Sequence, residues 1–61
     1  MTDADIWADL SRRIAALSEI LGRAPDDADV SDRITETAEA LNVDRDHVLR
    51  VYRERVVMIG G

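Results

Sequence analysis

Apolar residues recur at steps of three and four along three stretches of the chain, which is the spacing of a helix with one buried side. The stretches cover residues 3–21, 28–41 and 45–59. No stretch alternates apolar and polar residues in the way that a half-buried strand does. The pattern therefore predicts an all-α fold of three helices in a single domain, residues 1–61.

Residues that favour helix ends flank the three stretches. Thr2 precedes the first stretch and has an acid three residues later, as in a capping box. Gly22 and Asn42 follow the first and second stretches, and both residue types adopt the left-handed backbone of a C-terminal cap. Asp44 is expected to cap the third helix. These signals predict a loop between the first two helices and a tight turn between the last two.

The first helix carries an apolar stripe wider than two short partner helices can easily cover. Part of the stripe follows the alternating three- and four-residue steps of a heptad seam. Two interpretations stay open: the stripe packs inside its own domain, or part of it contacts the same helix of a second chain. The candidate core or dimer residues are Ile6, Trp7, Leu10, Ile14, Leu17 and Leu21.

The short chain favours self-association. A domain of 61 residues buries only about 60% of the surface that its unfolded form exposes, so a lone monomer is marginally stable. The sequence has no cysteine, which excludes a disulfide or a thiolate metal site, and His47 is the one histidine. Helix packing and a partner chain remain as sources of stability, and we expect a homodimer.

The second and third helices have the apolar spacing of two helices that meet at a tight turn. The residues of this spacing are Ala38, Leu41, Val43, Val48 and Val51. Ala38 is small enough for a close approach of the helices, and Asn42 stands where a left-handed turn residue is needed. On these residues, segment 34–53 resembles the helix-turn-helix motif of small bacterial and phage transcription regulators.

The resemblance implies a DNA-binding regulator whose third helix lies in the major groove. The outward residues that it implies as DNA-binding are Arg45, Asp46, Leu49, Arg50 and Arg53. Arginine is the commonest reader of guanine, and an acid can accept from cytosine. Asp44 and Asp46 depart from the pattern because they bring carboxylates near phosphates, which lowers the affinity for DNA.

The third helix is expected to have an apolar side and a charged side. Its inward stripe comprises Val48, Val51, Tyr52, Val56 and Ile59. Leu49 and Val57 are expected on the outward side beside the arginines, where exposed apolar residues would suit a protein partner. Contact with a protein is therefore an alternative use of this helix.

The net charge of −5 favours that alternative. Residues 1–42 hold four arginines against ten acids, whereas residues 43–61 hold four arginines against three acids. DNA-binding domains usually show a clear basic patch, and this chain has only the start of one. The alternative function is an acidic interaction module without DNA binding, such as an accessory subunit, an antitoxin-like protein or a phage-type inhibitor, with a basic protein as its partner.

Sequence motifs for catalysis are absent. The chain has no phosphate-binding loop, nucleophile elbow or metal-ligand spacing, and three short helices do not form a water-excluding cleft alone. We expect no enzyme activity, cofactor, metal or small-molecule substrate. Acids and arginines interrupt residues 1–21, so we also expect no signal peptide or membrane contact, and a cytoplasmic protein.

Overall fold

The computed structural model describes residues 2–60, and their side chains as far as Val56. It has three helices: α1 (Asp3–Leu21), α2 (Asp27–Leu41) and α3 (Arg45–Gly60). Within residues 2–60 there is no strand, and the all-α three-helix fold is confirmed. The expectations for the Val57 and Ile59 side chains lie outside the described residues.

Local hydrogen bonds set where α1 and α2 begin. At α1, the backbone N–H of Thr2 donates to the Asp5 carboxylate over 3.1 Å, and the N–H of Asp5 donates to the Thr2 hydroxyl over 3.3 Å. Asp26 and Asp29 form the same reciprocal pair at α2. The bonds from Thr2 and Asp29 lower the pKa of Asp5 and Asp26, because they favour the charged carboxylate.

Left-handed residues end α1 and α2, as predicted. Gly22 has a φ of 70° and Asn42 a φ of 56°. Beyond Asn42, the N–H of Val43 donates to the carbonyl of Ala38 over 3.0 Å, a bond characteristic of a Schellman cap. Three residues, 42–44, then connect α2 to α3. The short connection fixes how the start of α3 leaves the end of α2.

Among the side chains described, as far as Val56, each helix contributes two buried apolar residues to the core. They are Ile6, Leu10, Ile34, Ala38, Val48 and Val51. Trp7 and Ile14 pack against this core from α1, whereas the Ile20 side chain is 81% exposed and Leu21 is 38% exposed. The core is therefore built on the N-terminal two thirds of α1, and the apolar stripe continues beyond it. Val56, expected on the inward stripe of α3, is 41% exposed because it lies past the same end of the core.

A polar cluster joins α1 to α2 beside this core. Asp9 accepts from Arg13 over 2.7 Å and from Arg12 over 2.9 Å. Arg13 also lies 3.6 Å from Glu36, which Arg33 contacts at 2.6 Å. The hydrogen bond from Arg13 is the largest cause of a lowered pKa for the Asp9 carboxyl, whose side chain is only 12% exposed. The charged form of Asp9 therefore stabilises the fold.

We expect the Asp9→Asn variant to lose less stability in acid than the wild type. The contribution of Asp9 is fully present above the unfolded-state pKa of about 4, and it is lost as the pH falls through the lower folded-state pKa. Urea unfolding at a series of pH values measures this effect. Glu19→Gln, which changes an exposed acid of α1 outside the cluster, is the control. An equally steep acid loss in Asp9→Asn and the wild type would contradict the assignment.

Candidate nucleic-acid interface

The turn at residues 42–44 connects α2 to α3, and Ala38 of α2 shares the core with Val48 and Val51 of α3. Ala38 is 6% exposed, and its carbonyl accepts from Val43 across the turn. Val48 and Val51 hold the inner side of α3 in the core, at 0% and 1% exposure. The opposite side of α3 consequently faces solvent, and the side chains on it are available to a ligand.

Four of the five residues expected to bind DNA are exposed: Arg45, Asp46, Arg50 and Arg53. Of these, Asp46, Arg50 and Arg53 lie on the side opposite Val48 and Val51. The ion pairs of the arginines within residues 2–56 involve Arg12, Arg13, Arg23 and Arg33. Arg50 and Arg53 form no ion pair within the same range. No carboxylate oxygen of residues 2–56 therefore lies within 4.0 Å of either guanidinium.

Arg45 lies against α2, although the sequence places it at the edge of the DNA-facing side. Its Nε donates to the Thr35 hydroxyl over 2.9 Å, and its Nη2 donates to the Ser31 hydroxyl. Thr35 in turn donates to the backbone carbonyl of Ser31. These bonds link the first turn of α3 to the middle of α2. Arg45 thus helps to fix the position of α3, and two of its five N–H donors are already used.

Leu49 is half-buried and packs against the core, so the expectation that it is exposed was wrong. It lies in a groove between α2 and α3 that encloses about 350 Å³. The lining of this groove comprises Asp27, Val30, Ser31, Ile34, Arg45, Leu49, Tyr52 and Arg53. The start of α2 lies beside Leu49 and partly covers it. The helical periodicity of α3 alone does not predict this contact.

Acids border the arginines of α3. Asp27 shares the groove with Arg45 and Arg53. Asp32 and Glu39 are exposed on α2, whereas Glu36 has two arginines within 4 Å, Arg13 and Arg33. The basic surface is therefore short and has acids beside it. The negative charge of Glu36 is partly compensated by Arg13 and Arg33, which the sequence alone does not indicate.

The start of α3 also contacts the start of α1. His47 Nε2 lies 2.9 Å from Asp3 Oδ1, at the other end of the sequence. No group of three or more His, Asp or Glu residues could hold a metal ion within the described part of the chain. None of the helices, over the residues described, is both long and apolar enough to cross a membrane.

No family model matches this chain, and neither the curated proteins nor the solved structures contain a match. Two features are the most informative: the three-residue connection after Asn42 and the exposed arginines of α3.

Proposed function

We propose that this protein is a small DNA-binding regulator of the helix-turn-helix type, with α3 as the helix that enters the major groove. The observation that carries the proposal is that Arg50 and Arg53 are exposed and form no ion pair within residues 2–56. Val48 and Val51 anchor the other side of the same helix in the core. Arginine reads guanine through two hydrogen bonds, and an anchored helix presents it with little loss of entropy.

The outward residues of α3 take different roles in this proposal. Arg50 and Asp46 are one helical turn apart and contact base edges, while Arg53 contacts phosphates. Arg45 acts as a positioning residue, because its bonds to Ser31 and Thr35 orient the start of α3. The acids near these residues repel phosphates, so we expect low non-specific affinity and detectable binding mainly on a specific sequence at low salt.

Replacing Arg50 by Ala should weaken binding to the selected sequence by about 1–3 kcal/mol, the usual effect of losing a base contact. The sequence is first enriched from a random duplex library at low salt, and affinity is then measured by fluorescence anisotropy. Arg53→Ala should weaken binding to all sequences and lower the salt dependence. The matched control is Arg12→Ala, which removes the same charge from an α1 side chain that is 77% exposed.

Both α3 variants should retain the melting temperature of the wild type, because Arg50 and Arg53 are exposed. The DNA-binding proposal fails if the wild type enriches no sequence at low salt. It also fails if the variant that combines both changes binds the enriched sequence as tightly as the wild type and Arg12→Ala do.

A second candidate function is supported by the acids of α2. In helix-turn-helix docking, the first helix of the pair crosses the DNA backbone, and here that helix exposes Asp32 and Glu39. An acidic module that binds a basic protein fits this surface. The double variant Asp32→Asn, Glu39→Gln distinguishes the two candidates. It should increase the affinity for DNA and decrease the affinity for a basic protein.

A further inference from the structure

An apolar groove along α1 shares Val30 and Tyr52 with the groove around Leu49, but it contains none of the residues proposed to bind DNA. It is an open depression of about 450 Å³ between α1, the loop at Pro25 and the C-terminal half of α3. Its lining comprises Trp7, Ser11, Ile14, Ala15, Ser18, Ala24, Pro25, Val30, Tyr52 and Val56. None of these side chains is charged, although 34% of the residues of the chain are.

The wall that α1 contributes to this groove has a regular order of large and small residues. Trp7, Ser11, Ile14 and Ser18 follow one another at steps of four, three and four, and Leu21 continues the series three residues later. These five residues are the α1 seam. The heptad seam expected from the sequence included Leu10, which is fully buried in the core. The side of α1 that the core leaves uncovered therefore contains Ser11 in place of Leu10.

We propose that the α1 seam binds the α1 seam of a second copy of this chain, antiparallel, with the two-fold axis at Ile14. Ile14 stands seven residues after Trp7 and seven before Leu21. An antiparallel pair centred there sets Trp7 of each copy against Leu21 of the other, and Ser11 beside Ser18. A contact of this kind is self-complementary, as a two-fold interface requires.

The two serines of the seam can be covered without loss of hydrogen bonds. The Ser11 hydroxyl donates to the Ala8 carbonyl over 3.3 Å, and the Ser18 hydroxyl donates to the Arg23 carbonyl over 3.1 Å. Covering a donor that already has a partner avoids the cost of an unsatisfied buried group. Small side chains between large ones also let the two helices approach closely.

The uncharged lining of this groove favours an apolar contact with a second copy over a charged ligand. A basic protein would be attracted to acids, and an anionic ligand to arginines, but the lining has neither. Two copies of a chain with a net charge of −5 repel each other at a distance, and an uncharged contact adds no close pairs of like charges to that repulsion. The seam and the groove around it provide such a contact.

The length of α1 also suits a contact of this kind. A stable interface buries about 800 Å² on each partner, which is roughly a fifth of the 4179 Å² that the chain exposes. α1 has 19 residues and is about 28 Å long, so the seam extends over most of the 31 Å length of the molecule. Tyr52 and Val56 widen the contact on one side.

The experiment compares the same substitution at two adjacent residues. Leu21→Glu places a charge in the seam, whereas Ile20→Glu places it on a neighbouring side chain that is 81% exposed and lies off the seam. Neither residue belongs to the core or packs against it, so both variants should fold. In sedimentation, the wild type should show twice the monomer mass of 6.8 kDa. Leu21→Glu should raise the dissociation constant of the dimer at least about tenfold, because an apolar contact is lost twice per dimer. Ile20→Glu should behave as the wild type.

Introduced cysteines test the register, because the chain has none of its own. Ser11→Cys mixed with Ser18→Cys should form a disulfide between copies, while each variant alone should not, since like positions lie far apart in an antiparallel pair. A wild type that sediments only at 6.8 kDa overturns the proposal. So does equal weakening by the two Glu variants, or a disulfide formed by either Cys variant alone in preference to the mixture.

Discussion

Leu10→Ala should lower the free energy of unfolding by about 2–5 kcal/mol, the usual cost of a large-to-small change in a core. Leu10 is completely buried and belongs to the core to which all three helices contribute. The core of this chain has only six buried apolar residues among those described, so little surrounding structure can close the cavity. Since small domains are marginally stable, we expect a large fraction of the variant to be unfolded without denaturant.

Ile20→Ala is the matched control for Leu10→Ala. It removes an aliphatic side chain from the same helix at a residue that is 81% exposed, and it should change the free energy of unfolding by less than about 0.5 kcal/mol. Urea unfolding followed by helical circular dichroism compares the three proteins at one concentration, because any dimer adds a concentration-dependent contribution. Similar losses in both variants would show that the core is not centred on Leu10.

Ala38→Leu should cost about 1–3 kcal/mol through overpacking. Ala38 is 6% exposed at the approach of α2 to α3, and its carbonyl takes part in the cap that ends α2. A larger side chain there must push the helices apart or move the turn that positions Arg50. Ala40→Leu is the control, because residue 40 is exposed on the same helix. Equal melting temperatures for Ala38→Leu and the wild type would contradict close packing at this residue.

Local signals made the ends of α1 and α2 predictable. A cap depends on residues within one turn of the helix end, as with Thr2, Gly22 and Asn42, so the sequence contains the whole interaction. The buried residues of α2 and α3 were predictable for a related reason. Their apolar periodicity stays in phase with the helix, and Ile34, Ala38, Val48 and Val51 lie where that phase indicates.

Contacts between distant segments were not predictable. Arg45 bonds to Ser31 and Thr35, which are 14 and 10 residues away, and periodicity within α3 assigns it to the outward side. Leu49 is covered by a neighbouring helix, which no pattern within α3 indicates. The extent of the α1 core was hidden for the same reason, because the apolar stripe continues to Leu21 while the core reaches only Ile14.

The position of the core on α1 divides this helix into two parts of different opening free energy. Backbone amides between Ile6 and Ile14 are held by tertiary packing, so they exchange with solvent only when the whole domain opens. Amides near Ile20 have little tertiary packing in a single chain, so in the monomer they exchange through local fraying. An antiparallel partner would cover that end as well. The exchange rate of the last turn of α1 would then depend on protein concentration, while that of the amides between Ile6 and Ile14 would follow global stability.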